Sequence, residues 1–72
     1  MSTLDLTTLT CPWTIIKTKQ AMDKLSNGEN LLITVTDPSF IIDCQVYAKQ
    51  TGHKLLYKWH KGDNICCLLQ KN

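Results

Sequence analysis

The cysteine at position 11 is the residue of this sequence best suited to nucleophilic chemistry. Pro12 follows it, and proline favours the first turn of a helix because its missing N–H would have no intrahelical acceptor there. A helix that starts at Cys11 directs unpaired backbone N–H groups and its positive dipole end at the thiol, which favours the thiolate. The same helix end would stabilise a persulfide, which is also an anion. The alternative is that Cys11 is only a small residue at a helix start.

The elements that position this cysteine can be predicted from the hydrophobic pattern and from turn residues. The predicted strands cover residues 4–7, 31–36, 53–60 and 64–71, and the predicted helices cover residues 11–25 and 37–51. This βαβαββ order buries its apolar faces most simply with both helices on one side of a single sheet. We therefore expect an α/β fold, a two-layer α/β sandwich with a four-stranded mixed sheet, as one domain over residues 1–72.

The first helix has one face for the core and one for solvent. The residues predicted to face the core are Ile15, Thr18, Met22 and Leu25. On the opposite face, Trp13 and Ile16 form an apolar patch beside Cys11, and Lys17 is placed to steer an acidic partner or an anionic persulfide. We expect these three residues to help dock a partner protein. Alternatively, Trp13 folds back over the preceding loop and shields Cys11, and Lys17 is a solvated surface lysine.

Two further predictions concern which faces of the second helix and the third strand turn inward. The predicted inward residues of the helix are Phe40, Ile41, Cys44, Tyr47, Ala48 and Thr51. Ile42 and Val46 project outward, either as a second contact or dimer surface or as isolated apolar residues. In the third strand, we expect the face formed by Leu55, Tyr57 and Trp59 to turn inward, and the alternating set to face solvent.

Composition limits the classes of function. The 72 residues carry a net charge of +2 without a lysine or arginine cluster, so direct binding of nucleic acid is not expected. Residues 1–10 do not form a signal peptide, and no apolar run is long enough to insert in a membrane, so we expect a cytoplasmic location and reduced cysteines. No CxxC pair is present, and neither histidine lies at ligand spacing, so we expect no metal and no cofactor.

Residues 4–12 read Leu-Asp-Leu-Thr-Thr-Leu-Thr-Cys-Pro, an acidic residue and a loop followed by a Cys-Pro pair at the predicted first helix. This segment resembles the N-terminal signature of the TusA/SirA-like sulfur carrier family, in which Cys-Pro-x-Pro begins the first helix. Lys17-Thr18-Lys19, Asp37-Pro38 and the segment over residues 49–53 also lie at the spacings of that family. The sequence departs from the signature at Thr8, Thr10 and Thr14, where a glycine, a basic residue and the second proline are usual.

The resemblance implies a fold similar to that of the C-terminal domain of translation initiation factor three. It also implies that Cys11 accepts sulfur as a persulfide from a cysteine desulfurase or a rhodanese-type donor. The sulfur would pass to an acceptor protein for tRNA thiolation, cofactor synthesis or sulfur metabolism, and it would be carried covalently without a cofactor. We expect Pro12 and Asp5 to support the cysteine, and we expect a monomer.

Two other classes of function stay open. In a thiol redox protein, Cys11 would form a disulfide with Cys44 or with a partner, although the missing CxxC pair disfavours this. In a noncatalytic protein-binding or RNA-binding module, the fold would be kept and sulfur transfer lost. The low positive charge and the few aromatic residues expected at the surface disfavour that alternative.

Overall fold

A computed structural model describes residues 2–10 and 12–72 of the chain. Its elements are β1 (Ser2–Asp5), α1 (Trp13–Asp23), β2 (Asn30–Val35), α2 (Ser39–Thr51), β3 (Lys54–Lys61) and β4 (Asn64–Gln70). The predicted βαβαββ order is confirmed, and the strand limits differ from the predicted ones by one or two residues at most ends. The left-handed backbone of Gly52, with φ of 81°, ends α2 at the predicted position.

The four strands form one mixed sheet in the order β1-β2-β4-β3. β1 lies parallel to β2, and β4 lies antiparallel to both β2 and β3. The parallel pair requires a crossover connection, which α1 provides. The predicted two-layer sandwich with a mixed sheet is therefore confirmed.

The core lies between the helices and one face of the sheet. The sheet contributes alternate residues of its two central strands, Leu31, Ile33 and Val35 of β2 and Ile65, Cys67 and Leu69 of β4. The helices contribute chiefly Met22, Phe40 and Cys44, and Phe40 is the largest side chain that is fully buried. Because the helices cover only this face, the other face of the sheet is not covered by any described element of the chain. We call it the open face.

The predicted inward face of β3 is correct at Leu55 and wrong at Tyr57 and Trp59. Leu55 packs against the core as expected, but a register shift between Leu55 and Tyr57 makes Leu56 an extra residue in the strand. After this bulge, Tyr57 lies opposite Leu68 and Trp59 lies opposite Cys66, and both partners belong to the open face. Tyr57 is 67% exposed and Trp59 is 40% exposed, so the aromatic pair points away from the helices.

Candidate functional site

The loop that leads to Cys11 begins with a turn held by Asp5. The carboxylate of Asp5 accepts hydrogen bonds from the backbone N–H of Thr7 at 3.0 Å and from the Thr7 hydroxyl at 2.8 Å. These two bonds lower the pKa of Asp5, because they stabilise the ionised form. Leu6 anchors the same turn, since it is buried and its N–H donates to the carbonyl of Thr34 at 2.8 Å. Asp5 thus organises the beginning of this loop, and a role toward Cys11 stays a prediction.

The first helix begins at Trp13, two residues later than the predicted start at residue 11. Pro12 occupies the N-cap position, and its carbonyl accepts the first i to i+4 hydrogen bond, from Ile16 N–H at 3.2 Å. The N–H of Trp13 donates to Thr10 at 2.8 Å, so the loop is hydrogen-bonded to the helix start. No acidic residue lies in the first turn. Cys11, the predicted site of chemistry, lies outside the described residues and is joined covalently to the N-cap residue.

Thr14, one of the departures from the Cys-Pro-x-Pro signature, is buried in the first turn of α1. Its side chain is 1% exposed, and its hydroxyl has no hydrogen-bond partner among the described residues. One turn later the hydroxyl of Thr18, which is also buried, donates to the carbonyl of Thr14 at 2.9 Å. Thr14, Thr18 and Met22 are four residues apart, so an i to i+4 extension of the predicted stripe could have placed Thr14 inside.

An apolar surface surrounds the start of α1. Trp13 is 55% exposed and Ile16 is half-buried, so the tryptophan is available for contact with another protein. Between α1 and α2 a groove of ≈ 320 Å³ is lined by Pro12 together with Ile15 and Val46. The exposed side chain of Ile42 is one turn before Val46 on the same helix. The outward residues of α2 and the N-cap of α1 thus border one surface, which depends on the packing of the two helices and has no signal in the sequence.

Lys17 lies on the other side of α1 from this groove. It lines a second groove, of ≈ 350 Å³, between α1 and the edge strand β1, together with Gln20 and Lys24. Lys19, in contrast, lines the groove beside Pro12, where its ammonium group lies 5.8 Å from the centre of the Tyr47 ring. The structure therefore separates Lys17 from the groove beside Pro12 and places Lys19 there instead.

The three described cysteines are free thiols and are all buried. Cys44 and Cys67 meet inside the core, where the hydrogen bond between them and burial raise the pKa of the Cys44 thiol. Cys66 belongs to the open face, and its sulfur lies 3.9 Å from the hydroxyl of Thr34. The expectation that Cys44 is a core residue is confirmed. None of these thiols is accessible enough to serve readily as a nucleophile in the folded state.

His53 ties the C-terminal residue to α2. Its Nδ1 accepts a hydrogen bond from the backbone N–H of Asn72 at 3.0 Å, and its ring packs edge-on against Tyr47. Burial lowers the pKa of His53, and the nearby charge of Lys71 adds to this effect. His53 therefore has a structural role, because its ring joins the backbone of Asn72 to the side chain of Tyr47.

The described part of the chain shows neither a metal-binding cluster nor a helix that could span a membrane. No group of three or more histidine, cysteine, aspartate or glutamate side chains in residues 2–10 and 12–72 is arranged to hold a metal ion. Within the same ranges, neither helix is long and apolar enough to cross a membrane. The described elements form a small α/β sandwich, and in the sequence a Cys-Pro pair directly precedes its first helix.

Comparison with known proteins identifies the family. A family profile described as "Sulfurtransferase TusA" matches residues 2–71. The sulfur carrier protein TusA of Allochromatium vinosum is 33% identical over 69 residues, which cover 96% of this chain and 91% of that protein. The putative sulfur carrier protein YrkI of Bacillus subtilis is 37% identical over 68 residues, which cover 94% of this chain and 91% of that protein. The chain belongs to the TusA family.

A solved structure supports the fold independently. The SirA-like protein of Desulfitobacterium hafniense superposes with a TM-score of 0.87, and the match covers 97% of this chain and 96% of that one. The two sequences are 22% identical. The predicted resemblance to TusA and SirA-like proteins is thus confirmed at the level of family and fold.

Proposed function

We propose that this protein is a sulfur carrier that holds a transferable sulfur atom as a persulfide on Cys11. The observation that carries the proposal is the TusA family match over residues 2–71, a range that includes the Cys-Pro pair. Relatives that match nearly the whole chain are named sulfur carriers. The first turn of α1 supports the proposal because no acidic residue there opposes a negative charge on the neighbouring cysteine.

The proposed reaction is two successive thiol exchanges. The Cys11 thiolate attacks the terminal sulfur of a donor persulfide, a new S–S bond forms at Cys11, and the donor cysteine leaves as a thiolate. A thiolate of the acceptor protein then attacks the outer sulfur of the Cys11 persulfide in the same way, and the Cys11 thiolate is regenerated. No oxidant or reductant is consumed. The donor would be a cysteine desulfurase or a rhodanese-type enzyme, working with this protein in the reducing cytoplasm.

The neighbouring surface gives the donor a place to dock. Trp13 is exposed, and the groove lined by Pro12, Ile15 and Val46 begins at the residue next to Cys11. Exposed tryptophan is enriched where proteins bind one another. We therefore assign partner docking to Trp13 and to this groove. Ile16 has a smaller share because it is half-buried, and Lys17 would act through longer-range attraction.

A thiol redox protein is less well supported by the fold. Cys44, the predicted internal partner for a disulfide, has no exposed surface and contacts Cys67 in the core. An exposed thiolate could reach Cys44 only if α2 first opened away from the sheet, at the cost of exposing Phe40 and its neighbours. The carrier needs no such opening.

Intact-mass analysis tests the proposal. Wild-type protein, Cys11→Ser and the matched thiol control Cys66→Ser are incubated with a cysteine desulfurase and cysteine, or with a rhodanese and thiosulfate. We expect wild type and Cys66→Ser to gain one sulfur atom that reductant removes, and Cys11→Ser to gain none. Equal loading of Cys11→Ser, or no loading of wild type by either donor, would contradict the carrier function.

A second experiment tests whether Trp13 docks the sulfur donor. Trp13→Ala should slow sulfur loading by the enzymatic donor while loading by a small persulfide, which needs no docking surface, stays at the wild-type rate. A variant that slows both reactions equally would show that Trp13 acts on the cysteine itself. Unchanged rates in both reactions would remove Trp13 from the docking surface.

A further inference from the structure

The open face of the sheet displays an aromatic pair between two lysines. Cross-strand pairing places Tyr57 next to Leu68 and Trp59 next to Cys66 on this face. Lys54, opposite Gln70, and Lys61, opposite Asn64, belong to the same face at the two ends of β3. Tyr57 and Trp59 are two residues apart in one strand, so their Cα atoms are separated by about 6.6 Å.

The open face combines aromatic and basic side chains. Two exposed aromatic rings offer planar apolar surfaces, and lysines on either side supply positive charge. Neither β3 nor β4 contains an acidic residue that would repel an anion. A ligand that alternates planar aromatic groups with negative charges along an extended chain would satisfy both features, and single-stranded nucleic acid has this composition.

We propose that the open face binds single-stranded nucleic acid, with bases stacked on Tyr57 and Trp59 and phosphates held by Lys54 and Lys61. The sequence pattern disfavours this ligand, partly because strict alternation along β3 would turn Tyr57 and Trp59 inward. The bulge at Leu56 reverses that assignment and brings both rings to the surface. Because the lysines are few, binding is weak and sensitive to salt, and because stacking accepts every base, it is indifferent to sequence.

Fluorescence anisotropy with a labelled oligouridylate of about 12 nucleotides, within the range of known single-strand sites, tests this proposal. Removal of one stacking ring, in Trp59→Ala or Tyr57→Ala, is expected to weaken binding by about 5-fold to 150-fold. Trp59→Phe keeps an aromatic ring and should retain most of the affinity. Thermal unfolding of each variant shows whether a loss reflects binding or the fold.

A matched pair of lysine double variants distinguishes binding at the open face from general attraction by the positive charge of the protein. Lys54→Gln with Lys61→Gln and the control Lys24→Gln with Lys49→Gln each remove two positive charges, the second pair from exposed positions outside the sheet. The first double variant should reduce the slope of log affinity against log salt by about 1.4, at about 0.7 per phosphate contact. The control should leave both slope and affinity unchanged.

Three results would overturn the proposal. The first is no binding of the oligonucleotide by wild-type protein at about 50 mM salt, where charge contacts are strong. The second is equal losses in the two lysine double variants. The third is equal affinity for a duplex of the same length, in which the bases are not free to stack on protein side chains. The measurement involves no sulfur reagent, so it stands apart from the proposed function of Cys11.

Discussion

Replacement of Thr14 by valine is expected to stabilise this protein. The hydroxyl of Thr14 is buried in the first turn of α1 and has no hydrogen-bond partner among the described residues. A buried polar group without a partner costs about 1–3 kcal/mol, and valine replaces it with a methyl group of similar size. The two residues have similar helix propensities, so the backbone contributes little to the difference. We expect Thr14→Val to raise the free energy of unfolding by about 1 kcal/mol.

The control is the same substitution one turn later. The hydroxyl of Thr18 is equally buried, but it donates to the carbonyl of Thr14 at 2.9 Å. That carbonyl also accepts the helical N–H of Thr18, so loss of the hydroxyl leaves no acceptor without a donor. Thr18→Val should therefore lower the free energy of unfolding modestly, by about 0.5–1 kcal/mol. The two substitutions change side-chain volume equally, in the same helix and at equally buried positions. They differ only in whether the lost hydroxyl made a hydrogen bond.

Urea unfolding followed by circular dichroism measures both variants. In thermal unfolding, a change of about 1 kcal/mol shifts the melting temperature of a domain of this size by about 4–8 °C. The melting temperature of Thr14→Val should therefore rise by about 4–8 °C, while that of Thr18→Val falls. Two outcomes would refute the reasoning: a fall in stability for Thr14→Val, or shifts of the same sign and size in the two variants. Either would mean that the Thr14 hydroxyl has a partner that compensates for its burial.

Two further predictions concern His53 and Cys44. The pKa of His53 is lowered in the fold, so the unfolded chain binds protons more readily, and the stability present above about pH 6.5 should be lost as the pH falls below that value. His53→Gln should flatten this part of the stability profile, and an unchanged profile in His53→Gln would contradict the assignment. Cys44→Ser places a hydroxyl in the core and should cost about 1–3 kcal/mol in urea unfolding. Cys66→Ser should cost less because Cys66 lies on the open face of the sheet, away from the core between helices and sheet, and equal losses would argue against this difference.

The order of the elements could be predicted because each has a local signal. Asp37 precedes the N-cap Pro38 and accepts hydrogen bonds from the N–H and hydroxyl of Ser39, so the Asp-Pro pair marks the start of α2 to within a residue or two. Gly52 ends that helix in the left-handed conformation that glycine adopts at low cost. These signals act over a few residues, so they are visible without knowledge of the packing.

Other features depend on tertiary structure and could not be predicted. Strict alternation from Leu55 would place Tyr57 and Trp59 inside, and nothing in the composition of β3 shows that Leu56 is an extra residue. The groove beside Pro12 requires α1 and α2 to pack against each other, and it brings together residues that are more than thirty positions apart. The candidate cysteine and its proline were recognised by type and spacing, whereas the surface around them required the fold.

The bulge in β3 has a consequence for how this strand tolerates changes in length. Leu55 and Tyr57 lie opposite Leu69 and Leu68, which are adjacent residues, so Leu56 is not needed to align either side of the bulge. Deletion of Leu56 would leave Leu55 facing the helices and Tyr57 and Trp59 facing outward, with the same cross-strand neighbours. Loss of this one codon would thus preserve both surfaces of the sheet, and a homologue whose third strand lacks the extra residue can still present equivalent side chains.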